Sequence, residues 1–209
     1  MSTTEYRKAR RHLSRKCNLM KALIARVGPC GLVPKPDEPF TLLVSCVISQ
    51  QISTKAAASI FARLAEAMGG SPLKREALAR FTAEEFKACG VSGPKQRTLR
   101  AVMDHVTANP DLLPGIHERD DEWIRAQLTA IKGIGPWTVD MLLMFGFARP
   151  DVLPVGDYGV KVAAKNLFAL DALPDAKTLT ALAEPWRPYR TVASWYLWRS
   201  LEGTAVLPS

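Results

Sequence analysis

LTAIKGIGPWTVDMLLMFGFARPDVLPVGDYGVKVAAK, residues 128–165, is the stretch on which the fold depends. A turn, Gly133-Ile134-Gly135, lies between two apolar helical patterns. A loop rich in Pro and Gly then ends in a lone acid, Asp157, which opens a third helix with Val160, Ala163, Ala164, Leu167 and Phe168 on one face. The helices leave almost no room for the turn, and glycine lets the backbone bend sharply and approach a ligand closely. Pro136 and Trp137 begin the next helix, whose first N–H groups lack intrahelical partners and form a ready anion site. Taken alone, Gly-x-Gly is more often only steric relief at a helix corner than a phosphate grip. Asp157 has a plain role too, as an N-cap carboxylate.

Outward from this stretch the chain stays helical. Upstream, Asp121 starts a pattern of Trp123, Ile124, Leu128 and Ile131, and Ser92-Gly93-Pro94 opens one with Leu99, Val102, Met103 and Val106 inside. Thr82 and Glu85 form a capping box, residues 72–80 a short helix, and Ser53 caps a helix stopped by Gly69-Gly70. Phe40 to Ile48 is a buried apolar run, strand or helix by periodicity, although a single strand has no partner. Leu13, Cys17, Met20, Ile24 and Val27 predict one basic amphipathic helix ended by Gly28-Pro29, with a Pro/Gly-rich connection to Pro39. Downstream, a helix from about Lys177 stops near Pro185, and Pro188 sits in the first turn of a last helix that Gly203 terminates. No alternating strand set and no fixed-period repeat appears. The fold class expected is all-α: nine or ten short helices in a two-lobed bundle. Residues 1–37 form the basic N-terminal helix and connection, 38–115 the first lobe, and 116–209 the second.

At 209 residues with 47% apolar side chains, the chain buries a substantial core. No apolar run reaches the roughly 18 residues of a membrane span, and no secretory signal precedes the polar N-terminus, so a cytoplasmic protein is expected, nucleoid-associated if bacterial. Cys17, Cys30, Cys46 and Cys89 lack paired Cys-x-x-Cys spacing, which argues against zinc or an iron–sulfur cluster and fits reduced thiols. His12, His105 and His117 lie far apart, without acidic or thiol company at ligand spacing. Of the net charge of +8, residues 1–26 hold +7, with eight basic side chains against Glu5 alone. That imbalance fits a polyanion partner such as nucleic acid, or simply a solvated helix face.

Leu128-x-x-x-x-Gly133-Ile134-Gly135-x-Trp137-Thr138 resembles the helix-hairpin-helix of the DNA glycosylase superfamily, and Asp151-Val-Leu-Pro-Val-Gly-Asp157-Tyr158 resembles its Gly/Pro-rich loop and catalytic acid. Trp186-Arg187-Pro188-Tyr189-Arg190 and the Trp195–Trp198 helix are similar to the C-terminal part of the 3-methyladenine DNA glycosylase II branch. Pro39-Phe40 through Gln50-Gln51-Ile52-Ser53 is similar to its first core helix and DNA-wedge loop. The resemblance spans roughly residues 38–203.

That resemblance implies a helix-hairpin-helix motif and an active-site cleft between lobes. Asp157 would be catalytic, stabilising the positive charge that develops on deoxyribose as the glycosidic bond breaks and orienting a water. Asp140 and Asp151 are rivals by residue type only. Superfamily members that also cut the strand have a lysine where this chain has Trp137, and Lys132 lies before the turn; the implied enzyme is monofunctional. The missing C-terminal cysteines exclude the iron–sulfur branch. Trp137 and Trp198 match aromatic positions of the base pocket, where a cationic alkylated purine is held by cation–π stacking, and Met141 stands where some relatives have tyrosine. Gln50 and Gln51 match the wedge region, Gln51 being the residue expected to insert; an apolar wedge is the commoner device. Further DNA contacts expected are Lys132, Gly133, Ile134, Gly135 and Lys161. No cofactor is required, and the backbone carbonyls of Thr129, Ile131 and Gly133 match those that hold a monovalent cation, Na+ or K+. The expected partner is double-stranded DNA containing alkylated bases, bound by a monomer without a membrane. Rivals from other classes are a non-catalytic helix-hairpin-helix module that binds bent or damaged DNA, and a helical protein–protein adaptor.

Overall fold

The basic N-terminal segment forms two helices in place of the expected one. A computed structural model describes residues 2–34 and 37–202 of the chain. In it α1 (Thr3–Lys16) and α2 (Asn18–Val27) are separated by Cys17, whose backbone is extended at φ −148°, ψ 113°. The break has a packing cause. Leu13 and Met20, both fully buried, face a common core once the chain folds back at Cys17, and a straight helix would spread the same stripe along a line. Ser2 and Glu5 close a capping box that starts α1.

Residues Lys35–Leu142 form one compact unit. The apolar run becomes α3 (Pro39–Ser49), buried at seven of its eleven residues, which is why it lacks a clear period. α4 (Thr54–Ala67) starts at Ser53, whose hydroxyl accepts the Ala56 N–H, and α5 is shorter than expected, Arg75–Arg80. α6 (Ala83–Ala88) keeps the Thr82–Glu85 capping box, and α7 (Gly93–Ala108) runs behind α3. α8 (Asp121–Thr129), capped by Asp120, and α9 (Pro136–Met141) flank the Gly-Ile-Gly turn, and α9 passes into a wider π-helical turn over Leu142–Gly146. The expected second lobe began at residue 116, but α9 packs on α3, so the turn and its helices belong with residues 35–142.

The other unit joins Met1–Pro34 to Leu143–Ser209. It holds α10 (Tyr158–Phe168), α11 (Ala176–Ala183), capped by Asp175, and α12 (Arg190–Glu202). Ala9, Leu13, Met20, Leu23 and Ile24 share one core with Val160, Ala163, Leu179, Trp186, Tyr196 and Leu197. Tyr196 donates its hydroxyl to the Gly28 carbonyl at 2.8 Å, tying α12 to the end of α2. Pro188 precedes α12 and is not in its first turn, and the stop expected at Gly203 lies outside the described residues. Twelve α-helices and no strands are present among the described residues, more than the nine or ten expected, and the break at Cys17 adds one of them. No helix there is long and apolar enough to cross a membrane.

Candidate active site

Asp157 is the N-cap of α10, half-buried, with Oδ1 accepting the Val160 N–H at 2.8 Å. The same oxygen accepts the indole N–H of Trp198 on α12 at 2.9 Å. Two donors thus fix one carboxylate oxygen and set the direction in which the other faces. Trp198 is itself held by a stacked ring, Phe145, with centroids 5.9 Å apart. Gly159 makes the arrangement sterically feasible: a Cβ there would lie 3.2 Å from both Asp157 Oδ1 and Trp198 Cδ1. Neither Phe145 nor Gly159 is identified by sequence patterning; the signal available is a glycine in the first turn of a helix, directly after the acid and its neighbour.

The loop leading to Asp157 is clamped at its other end. Arg190 grips the Asp151 carboxylate through Nε at 2.8 Å and Nη2 at 3.0 Å, and Arg187 adds a bond at 2.9 Å. Thr191 accepts the Val152 N–H and donates to the Arg149 carbonyl. Asp151, a rival acid by type, is thus an internal counter-ion. Asp140 is another: it is 3% exposed and paired with Arg125, so it joins α8 to α9. Asp157, by contrast, is held by two neutral donors, the Val160 N–H and the Trp198 indole. Tyr158, beside it, is 72% exposed. Lys161 is half-buried one turn along α10, and its charge helps lower the Asp175 carboxyl, after the larger effect of the Thr178 backbone N–H.

In the other unit the turn has its own constraints. Gly133 has φ +92°, and a Cβ there would meet Thr98 Oγ1 at 2.1 Å, so both conformation and space demand glycine. Lys132 and Gly133 are exposed, Gly135 is half-exposed, and Ile134 is buried as the turn's anchor. Gln50, expected at the DNA, instead turns its amide onto the turn, donating to the Gly133 carbonyl at 3.0 Å and to Thr138 Oγ1 at 2.9 Å. Gln51 is exposed and left-handed at φ 56°, and Ile52 beside it is 38% exposed. Trp137 is half-buried on α9, whereas Met141 is 8% exposed. The expected residues thus form two groups. Asp157, Trp198 and Lys161 belong to one unit; Gln50, Gln51, Thr129 to Gly135, Trp137 and Met141 belong to the other.

The Cys30 and Cys46 thiols are poor nucleophiles. Burial pushes Cys30 up to about 11 and Cys46 to about 12, and all four cysteines are free.

The model of the HhH-GPD superfamily base excision DNA repair protein matches residues 44–188. "Alkylbase DNA glycosidase-like protein mag2" of Schizosaccharomyces pombe is 30% identical over 203 residues, covering 94% of each chain. DNA-3-methyladenine glycosylase 1 of the same organism is 33% identical, covering 94% of this chain and 88% of its own. Among solved structures, the S. pombe 3-methyladenine DNA glycosylase Mag1 in complex with abasic DNA superposes with a TM-score of 0.85 at 31% identity, over 96% of this chain and 100% of its own. A DNA-3-methyladenine glycosidase from Bacillus halodurans gives 0.74 at 37% identity, over 92% and 88%.

Proposed function

Because the chain belongs to the HhH-GPD superfamily of base excision DNA repair proteins, we propose that it is a monofunctional DNA glycosylase for alkylated bases of the 3-methyladenine type. The observation that carries this proposal is the Asp157 carboxylate, held at the head of α10 by the Val160 N–H and the Trp198 indole. In the proposed reaction the bond between C1′ and the base nitrogen breaks, and its electron pair leaves with the base. Asp157 stabilises the positive charge left on the sugar, and a water adds to C1′ and loses a proton. Alkylation already leaves a purine positively charged, so the departing base needs little help from an acid.

Trp137 and Trp198 offer ring faces to such a cationic base, with Met141 as an apolar neighbour of Trp137 in sequence. Trp137 has no amine with which to attack C1′, which supports hydrolysis without strand cleavage. The partner is duplex DNA: Gly133, Ile134 and Gly135 bring backbone close to a phosphate, Lys132 and Lys161 add positive charge, and Gln51 is the wedge, acting from a monomer. The Ile131 and Gly133 carbonyls each accept one hydrogen bond, from the Ile134 N–H and from Gln50, and each keeps a second lone pair. With Thr129 they suit a weakly held Na+ or K+, which would offset part of a phosphate's charge beside the turn.

Incubation with methylated duplex DNA tests the proposal. Free 3-methyladenine is expected in the supernatant, with strands that stay intact until alkali cleaves them. Nicks before alkali together with a borohydride-trapped adduct would overturn the monofunctional assignment, and absence of any released base would overturn the enzymatic one.

A further inference from the structure

We infer that Gln50 is a positioning residue that couples the wedge loop to the hairpin turn, so that gripping a phosphate and inserting the wedge become a single event. The inference rests on the glycosylase proposal and assigns Gln50 a role distinct from DNA contact. Gln50 stands where α3 stops, and its side-chain amide has two hydrogens, both of them used. One goes to the Gly133 carbonyl at 3.0 Å, in the turn, and the other to Thr138 Oγ1 at 2.9 Å, in the first turn of α9. The end of α3 is therefore bonded to both sides of the bend. Thr138 is 2% exposed, so water competes poorly for that bond.

The next residue is the one that needs holding. Gln51 has φ 56°, a conformation that costs a non-glycine residue about 1 kcal/mol or more and persists only where neighbours impose it. Two groups impose it from the preceding side. Lys95 Nζ on α7 lies 2.6 Å from the Ile48 carbonyl and fixes the last turn of α3, its ammonium lowered from the ordinary lysine value by burial. Gln50 fixes the residue directly before the tip. Thr98, also on α7, abuts Gly133, so one helix supports both the turn and the loop. Beyond this braced point Gln51 and Ile52 project into solvent, an amide beside an apolar side chain. A wedge set at a fixed distance from the gripped phosphate enters the base stack without first paying to order its loop. Without Gln50 the phosphate grip remains while the tip loses its register.

Gln50→Glu and Gln50→Met preserve side-chain length, but an ionised carboxylate and a thioether cannot donate to the Gly133 carbonyl. Both variants are measured beside the wild type and Gln51→Ala. The readouts are thermal melting, affinity for undamaged duplex, single-turnover base release, and fluorescence of a 2-aminopurine placed next to the lesion as a report of unstacking. The expected result is a folded protein whose melting falls by a few degrees for the lost bonds, duplex affinity within about twofold in the uncharged Met variant, and base release and the fluorescence rise reduced about tenfold or more in both variants, since a misplacement near 1 Å can cost up to about 10²-fold. The Glu variant should recover part of its loss, relative to wild type, as pH falls from 8 toward 5, because a protonated carboxyl can donate again. Wild-type release and fluorescence in either folded variant overturn the inference, as does a parallel loss of duplex affinity in the uncharged Met variant. If one variant fails to fold, the other decides. A wild type that releases no base refutes the glycosylase proposal alone; the fluorescence comparison on bound DNA still decides the coupling.

Discussion

The hydrogen bond from Trp198 to Asp157 joins a ring proposed for the base pocket to the acid proposed for catalysis. Asp157→Asn should slow base release by about 10²- to 10³-fold, in the range for removing one electrostatic stabiliser, while duplex binding by gel shift is retained. Trp198→Phe keeps a ring against Phe145 and loses only the N–H donor. Hydrogen bonds to charged groups contribute about 1.5–3 kcal/mol, so a fall of about ten- to a hundredfold in single-turnover rate is expected. Gly159→Ala sets two effects against each other. Alanine favours a helix by about 1 kcal/mol, but its Cβ would sit 3.2 Å from the carboxylate and from the indole. Melting should therefore change little while base release falls; unchanged release would remove Gly159 from the site. At this scale the sequence made Asp157 legible because an acid opening a helix is a local pattern. Asp140 and Asp151 share only its residue type, and their arginine partners, 15 residues away for Asp140 and 36 and 39 for Asp151, show them to be internal counter-ions.

Among the elements, the turn between α8 and α9 is the most constrained. Gly133→Ala adds a Cβ at 2.1 Å from Thr98 Oγ1 and forces alanine to φ +92°. A cost of about 1–3 kcal/mol is expected from the backbone alone, with the clash added to it. Gly133→Ala combined with Thr98→Gly should relieve the clash and keep the backbone cost, which chemical denaturation of the single and double variants would separate. The loop before α10 depends on the head of α12 in the same way, and removing the Arg190 side chain leaves Arg187 as the charged partner of the Asp151 carboxylate. The boundaries of α4, α6 and α10 were legible because Ser53, Thr82 and Asp157 carry their capping chemistry in the chain itself. The split of α1 from α2 was not, since Cys17 caps nothing and turns extended only because Leu13 and Met20 reach a shared core.

For the molecule as a whole, the N-terminal segment belongs energetically with the C-terminal helices. Tyr196→Phe removes the donor to the half-buried Gly28 carbonyl and should cost about 0.5–1.5 kcal/mol at neutral pH. Burial raises the Tyr196 hydroxyl from 10 to about 12. A phenol raised on folding stabilises fully below pH 10, and the contribution is lost as pH rises through 12. Melting curves of wild type and Tyr196→Phe should thus stay apart to pH 10 and converge toward pH 12. The sequence by itself determined that the chain is helical, that a glycine turn and a capping acid follow one another, and that a lysine nucleophile is missing after the turn. These are local matters, fixed by periodicity, caps and residue type within a few turns of the chain. Tertiary structure alone decided which unit holds the turn, which acids are silenced by arginine, and that Gln50 faces inward. Each of those depends on groups between 15 and 88 residues apart meeting within hydrogen-bond distance, and no local pattern encodes such a meeting.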